Sequence, residues 1–145
     1  MDSINSVYDR LQKRAEQINS SKGGRLNALL APEFCGCDEE SRSAVFRFKA
    51  QEWEKNQRGE IHGGAAAAMF DTSMGMTVLA FLECSQAATT DLSVSYIRPF
   101  TGDSFIFNTE ILHPGRSLVR IRATAEDEET GKLLASATAN FVYKK

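Results

Sequence analysis

Residues 56–83 read NQRGEIHGGAAAAMFDTSMGMTVLAFLE, and the fold turns on how this stretch is understood. After His62 and the pair Gly63-Gly64, the run to Leu82 is almost entirely small or apolar. Only Asp71, Thr72, Ser73 and Thr77 are polar, and proline is absent. A helix that is apolar on every side has to be buried. Lipid can bury it, as a membrane span, or the other elements of a folded domain can. A carboxylate and hydroxyls at mid-run are costly in hydrocarbon, so the reading is a central core helix surrounded on most sides. Asp71 is then the anomaly that needs a reason.

The remaining chain supplies what surrounds it. At 145 residues the sequence is long enough for one domain with a substantial core, without metal or disulfide staples. Seventeen basic against nineteen acidic residues, a formal net charge of -2, argue against a nucleic-acid binder or an anionic-membrane binder, which carry a basic excess. Cys35, Cys37 and Cys84 form an odd set without CxxC spacing or a nearby histidine, so neither a zinc site nor a disulfide framework is indicated. Reduced thiols and an N-terminus with Asp2, Asp9 and Arg10 in place of an apolar leader fit a cytoplasmic protein.

From Ser3 to Asn19, apolar residues at Ile4, Val7, Tyr8, Leu11, Ala15 and Ile18 form one helical stripe, predicting an amphipathic surface helix. SerSerLysGlyGly at 20–24 stops it, and Leu26, Leu29 and Leu30 before Pro32 predict a short turn capping the core. From Ser43 the period becomes two, with Phe46, Phe48 and Ala50 opposite Val45, Arg47 and Lys49. Four more alternating runs follow the helix: Leu92, Val94, Tyr96; Phe105, Phe107, Ile111; Val119 to Ala125; and Ala135 to Phe141. Their connections at 99–103, 113–116 and 128–131 are short and rich in turn formers, predicting antiparallel neighbours in a meander. The alanines at 135, 137 and 139 suggest close approach of helix and sheet. The expected fold is α+β: a curved antiparallel sheet of five or six strands wrapped around one long helix, with residues 1–43 as an N-terminal helix and connecting segment and 44–145 as the domain proper.

Asn56, Gly59, His62-Gly63-Gly64 and Asp71, followed by TTDLSVSYIRP at 89–99, resemble the PaaI-like thioesterases of the hotdog fold. The resemblance spans roughly residues 44–143. HGG alone is a weak signal; its combination with an Asn six before the His, an Asp nine after it, and a Thr-x-Asp-Leu strand ending in Arg-Pro is fairly specific. The resemblance implies hydrolysis of acyl-coenzyme A or a related thioester, without metal or separate cofactor, by a homodimer or a homotetramer built as a dimer of dimers, with active sites between subunits. It also implies that Asp71 is nucleophile or general base, that Asn56 orients the substrate carbonyl or the water, and that Thr89 positions a nucleophilic water.

Elementary chemistry bears on the same residues. Thioester hydrolysis needs a donor for the developing oxyanion and a base or nucleophile across the carbonyl. A helix N-terminus offers free N–H groups and a positive dipole end, and Gly63 and Gly64 put no side chain in the way. The Gly63 amide is therefore the expected oxyanion donor, with Gly64 beside it; a glycine pair also lets the chain turn sharply into a helix. Asp71 could instead be held by Thr72 or Ser73. His62 is read as a positioning residue that bonds backbone at the turn or touches the ligand, and His113 as solvated surface. Phe70 and Met74 are expected to line the acyl pocket with residues of the partner subunit, and Arg98 and Arg116 are candidates for the coenzyme A phosphates, with Arg120 and Arg122 open to the same reading.

Two other functions fit the fold. A hydratase or dehydratase pairs an acid with a histidine in differently spaced signatures, and neither HFPG nor an Asp two residues after a His occurs here. A non-catalytic acyl-thioester binding protein would not need Asp71, Asn56 and the glycine turn together. Gly63 and Asp71 are eight residues apart, roughly 12 Å along one helix. A single carbonyl cannot touch both, so the expectation is that a two-fold partner supplies the missing half of each site.

Overall fold

In the computed structural model, which describes residues 6–21 and 23–145, the apolar run becomes one continuous helix. In chain order the helices are α1 (Val7–Ser20), α2 (Leu26–Leu30) and α3 (Gly63–Phe81), and a 3-10 turn occupies Glu52–Glu54. The strands are β1 (Glu33–Asp38), β2 (Ser43–Lys49), β3 (Gln86–Tyr96), β4 (Ser104–Pro114), β5 (Leu118–Asp127) and β6 (Leu133–Lys144). They form one antiparallel sheet of six strands in the order β1-β2-β4-β5-β6-β3.

By length and composition α3 could cross a membrane, but here it packs against the inner face of this sheet. Its Ala66, Met69, Phe70, Met74 and Val78 are buried, and the alternating faces of the strands meet them: Phe46 and Phe48, Phe105 and Phe107, Val119 and Ile121, and Ala135, Ala137 and Ala139 are buried too. Phe107 joins three rings, with centroids 5.0 Å from Phe48, 4.7 Å from Phe70 and 6.4 Å from Phe100. The edge-on pairs with Phe48 and Phe70 add about 0.5–1.5 kcal/mol each beyond the area they bury. The helix hydroxyls are all employed. Thr72 Oγ1 donates to Asn27 Oδ1 at 2.8 Å, Ser73 Oγ to the Phe70 carbonyl at 3.1 Å, and Thr77 Oγ1 lies 2.7 Å from Thr109 Oγ1 across the core.

α1 starts at a Ser6 N-cap whose side chain accepts from the Asp9 N–H, and buries Val7, Leu11 and Ala15. Ile4, expected on the same stripe, lies outside the described residues. Arg10 ties α1 to the far end of α3, its Nε donating to the Ala80 carbonyl at 2.7 Å. Two features differ from the sequence reading. β1 appears in a segment with no alternation to signal it; it is short, contains Gly36, and is bulged between Phe34 and Gly36, so it pairs with β2 as an edge strand. The meander holds only for β4, β5 and β6. β3 does not neighbour β4 but pairs with β6 at the opposite edge. Crossing from β3 to β4 spans three inter-strand steps, about 14 Å, which the seven residues 97–103 cover easily at up to about 3.3 Å each. A short connection rich in turn formers therefore does not force adjacency. Phe100 anchors the crossing, buried against Phe105 with its carbonyl accepting from the Ile61 N–H at 3.0 Å.

As an edge strand β3 is only half covered. Leu92 and Val94 are half-buried, and Tyr96, expected on the same apolar face, is 50% exposed.

Candidate active site

The chain enters α3 through a tight loop. The Asn56 N–H donates to the Glu60 carbonyl at 2.7 Å, the Gly59 N–H returns to the Asn56 carbonyl at 3.0 Å, and Gly59 has a φ of 81°, a conformation that favours glycine. Within this loop Asn56 Oδ1 accepts from the N–H groups of Arg58 at 2.9 Å and Glu60 at 3.2 Å. Those two donors fix which end of the amide is oxygen and leave Nδ2 as the end that can donate outward. The expected role of Asn56, orienting a carbonyl or water, would thus fall to that NH2 group.

Below the loop lies Glu54, a residue the sequence reading passed over. It is only 1% exposed, its Oε1 accepts from the Gln51 N–H at 2.7 Å, and its Oε2 has no partner among the described residues. Burial pushes this carboxyl above the usual range. Its main-chain carbonyl accepts from the His62 N–H at 2.8 Å, tying the buried turn to the start of α3.

His62 is the N-cap. Its Nδ1 accepts from the Gly64 N–H at 2.8 Å, so the ring carries its proton on Nε2, and its carbonyl accepts from the Ala66 N–H at 3.0 Å. The imidazole thus bonds backbone at the turn, one of the two arrangements expected for it. A Cβ on Gly64 would come within 3.1 Å of that Nδ1, which gives Gly64 a packing reason to lack one. The Gly63 N–H has no acceptor among the described residues and sits at the positive end of a 19-residue helix. The nearest side chain to a Cβ at Gly63 is Tyr96, whose hydroxyl donates to the Gly63 carbonyl. Partial burial pushes the Tyr96 phenol up, keeping it a proton donor.

Two turns further along, Asp71 is half-buried and its Oδ1 accepts from Thr89 Oγ1 at 2.6 Å. Its partner is neither Thr72 nor Ser73, which are otherwise engaged. The contact depends on an irregularity in β3. Leu92 and Val94 face the helix, so strict alternation would turn Thr90 inward and Thr89 outward. A bulge between Thr89 and Asp91 sets two residues of β3 against Asn140, so Thr89 pairs with the inward-facing Phe141 and reaches Asp71. Thr90 is the extra residue, its Oγ1 donating to the Asn140 carbonyl at 3.1 Å.

The structure thus joins Asp71 with Thr89 and His62 with Gly64, with Asp71 and both glycines on one helix. Phe70 and Met74 share the α3 face that packs into the sheet and have no exposed surface in the single chain, where they belong to the core. Arg98 Nη1 donates to the Leu133 carbonyl at 2.6 Å, at the start of β6, whereas Arg116 is exposed in the β4–β5 turn, whose Ser117 carbonyl accepts from the Tyr143 N–H near the end of β6. Ten residues of strand separate those anchor points, roughly 33 Å, so within one chain the two arginines cannot meet the same phosphate. Among the described residues no group of three or more His, Cys, Asp or Glu side chains is placed to hold a metal ion.

A sequence model of the thioesterase superfamily matches residues 58–134, from the loop before α3 into the start of β6 and just over half of the chain. The chain belongs to the thioesterase superfamily. Among curated proteins it is similar to mouse acyl-coenzyme A thioesterase 13, 25% identical over 92 residues that cover 63% of this chain and 66% of the mouse protein. The match therefore spans slightly less than two thirds of that relative's length. Among solved structures, zebrafish thioesterase superfamily member 2 superposes with a TM-score of 0.80 at 18% identity, covering 97% of this chain and 99% of that one. The Escherichia coli PaaI protein from the phenylacetic acid degradation operon superposes at 0.79 and 16% identity, covering 97% of each chain. At such identities the superpositions establish the fold, which is the hotdog fold of this thioesterase superfamily member.

Proposed function

We propose that this protein hydrolyses acyl-coenzyme A thioesters, releasing the free acid and coenzyme A. The observation that carries the reading is the bond from Thr89 on β3 to Asp71, which lies on the same helix whose first amide, at Gly63, has no acceptor among the described residues. A bare carboxylate in a core helix has no use for the fold. One held by a hydroxyl at the open edge of the sheet is placed to attack a carbonyl or to take a proton from water. The Gly63 N–H, backed by the helix dipole, receives the negative charge that develops on the thioester oxygen. The Asn56 amide is a second donor for the same carbonyl or the attacking water. Similarity to the mouse acyl-coenzyme A thioesterase supports coenzyme A as the thiol.

The test is release of free thiol from a panel of acyl-coenzyme A substrates, aliphatic and aromatic, followed with a thiol reagent and compared by kcat/KM. Turnover of at least one is the expected result. Tight binding of the panel without thiol release would instead identify an acyl-thioester binding protein.

The working unit of this reading is a homodimer or a pair of them. Along its outer side β3 presents eleven residues of strand with no partner among the described residues, and an unpaired edge of that length is a template for another strand. Beside it the outer face exposes Leu118 and Val142, which face each other in register, and Leu112. Light scattering at micromolar concentration is expected to give the mass of a dimer or tetramer; a monomer would remove the shared-site model.

A further inference from the structure

We propose that Tyr96 is a positioning residue for the first turn of α3, holding the Gly63 amide and the His62 imidazole in their working geometry through its hydrogen bond to the Gly63 carbonyl. The inference rests on the thioesterase reading for its consequence in catalysis, but not for the geometry itself.

That turn has little stability of its own. It opens with two glycines, each of which costs a helix up to about 1 kcal/mol relative to alanine, and no acidic side chain lies in the turn to answer the dipole. Three bonds from outside the helix ladder hold it: the Glu54 carbonyl accepts from the His62 N–H, His62 Nδ1 accepts from the Gly64 N–H, and Tyr96 donates to the Gly63 carbonyl. The third is not needed to satisfy its acceptor, because a carbonyl in the first turn of a helix already receives the N–H four residues on. The phenol therefore adds a second donor to a group that was not lacking one, on a side chain half exposed to solvent and gaining little by burial.

What the extra bond does follows from the peptide it reaches. The Gly63 carbonyl and the Gly64 N–H belong to one amide unit, so a donor on the oxygen polarises that N–H and strengthens its bond to His62 Nδ1. Phenol, peptide and imidazole form one relay. Its far end is His62 Nε2–H, an exposed donor whose tautomer and direction the relay fixes. Gly63 is caught between this unit and the preceding one, whose His62 carbonyl is bonded to the Ala66 N–H, so the direction of its free N–H is set from both sides. An oxyanion donor is worth most when it needs no reorganisation as charge develops. A strand residue that stiffens the donor thus acts on the barrier more than on binding.

Tyr96→Phe tests this, since the ring keeps its contact with Gly63 and only the hydroxyl is lost. Turnover is expected to fall about tenfold with KM within twofold of the wild type and an unchanged melting temperature. In the amide spectrum the Gly64 proton is expected to move upfield, and His62 15N shifts to show mixed tautomers in place of a single Nε2–H form. Unchanged kcat, or an unchanged Gly64 amide and His62 tautomer, would overturn the proposal. If the wild-type protein released no thiol from any acyl-coenzyme A, the thioesterase reading would fail, and the Gly64 and His62 signals would still decide the role of Tyr96.

Discussion

Asp71→Asn is expected to leave a folded protein whose thioesterase turnover is at least about 1000-fold below the wild type, the loss typical when a positioned base or nucleophile is removed. The substitution is nearly isosteric, and the asparagine carbonyl can still accept from Thr89 Oγ1, so the contact that ties α3 to β3 survives. The core does not depend on the charge, since the buried face of α3 is carried by Phe70, Met74 and their neighbours. What is lost is the ability to attack a carbonyl or to accept a proton. Single-turnover rates beside a thermal melt separate the two effects. Near-normal turnover would reduce Asp71 to a structural acceptor for Thr89.

The second large effect concerns Gly63→Pro, which deletes the proposed oxyanion donor with little disturbance. Proline is at home in the first position of a helix, and the residue before it must be extended, as His62 already is at φ -58° and ψ 137°. A Cβ at this position meets the Tyr96 ring no closer than 3.5 Å, an ordinary contact. Turnover is expected to fall by about 100-fold or more. Because Gly63 and Asp71 lie roughly 12 Å apart on α3, each is expected to work with the other group from a two-fold partner. Co-refolding Gly63→Pro with Asp71→Asn in equal amounts then makes about half the dimers mixed, each with one intact site of two, and returns about a quarter of wild-type activity. Activity that stays at background would place both groups of each site in one chain and sink the shared arrangement.

What the sequence showed and hid divides along physical lines. α3 was legible because nineteen residues without a charged stripe or a proline leave a helix nowhere to sit but the core. The inward faces of β2, β4, β5 and β6 were legible because they are buried against that helix and so alternate strictly. β1 was not, since an edge strand interrupted by a bulge at Gly36 carries little burial pattern. The place of β3 was misjudged because a connection of seven residues fixes how far the chain can travel, not where it goes. Phe70 and Met74 flank Asp71, one residue before it and three after, in a run that is apolar on every side, so only the sheet decides which side is core. Tyr96 was read as one more apolar position on a strand. Its hydroxyl is what matters, and no spacing rule connects it to Gly63, thirty-three residues away.

The bulge in β3 also determines which changes of length the strand can absorb. Between Thr89 and Tyr96 the side chains are set by parity, and removing any ordinary strand residue would turn Thr89 to the outer face, away from Asp71, or else turn Leu92 and Val94 out of the core. Thr90 is the exception. As the residue in excess of its partner strand, it can be lost with the ladder closing behind it, and Thr89 would still point at α3 while Asp91 remained opposite Asn140. A homologous strand one residue shorter can therefore hold the same hydroxyl against the same carboxylate, provided the missing residue is this one.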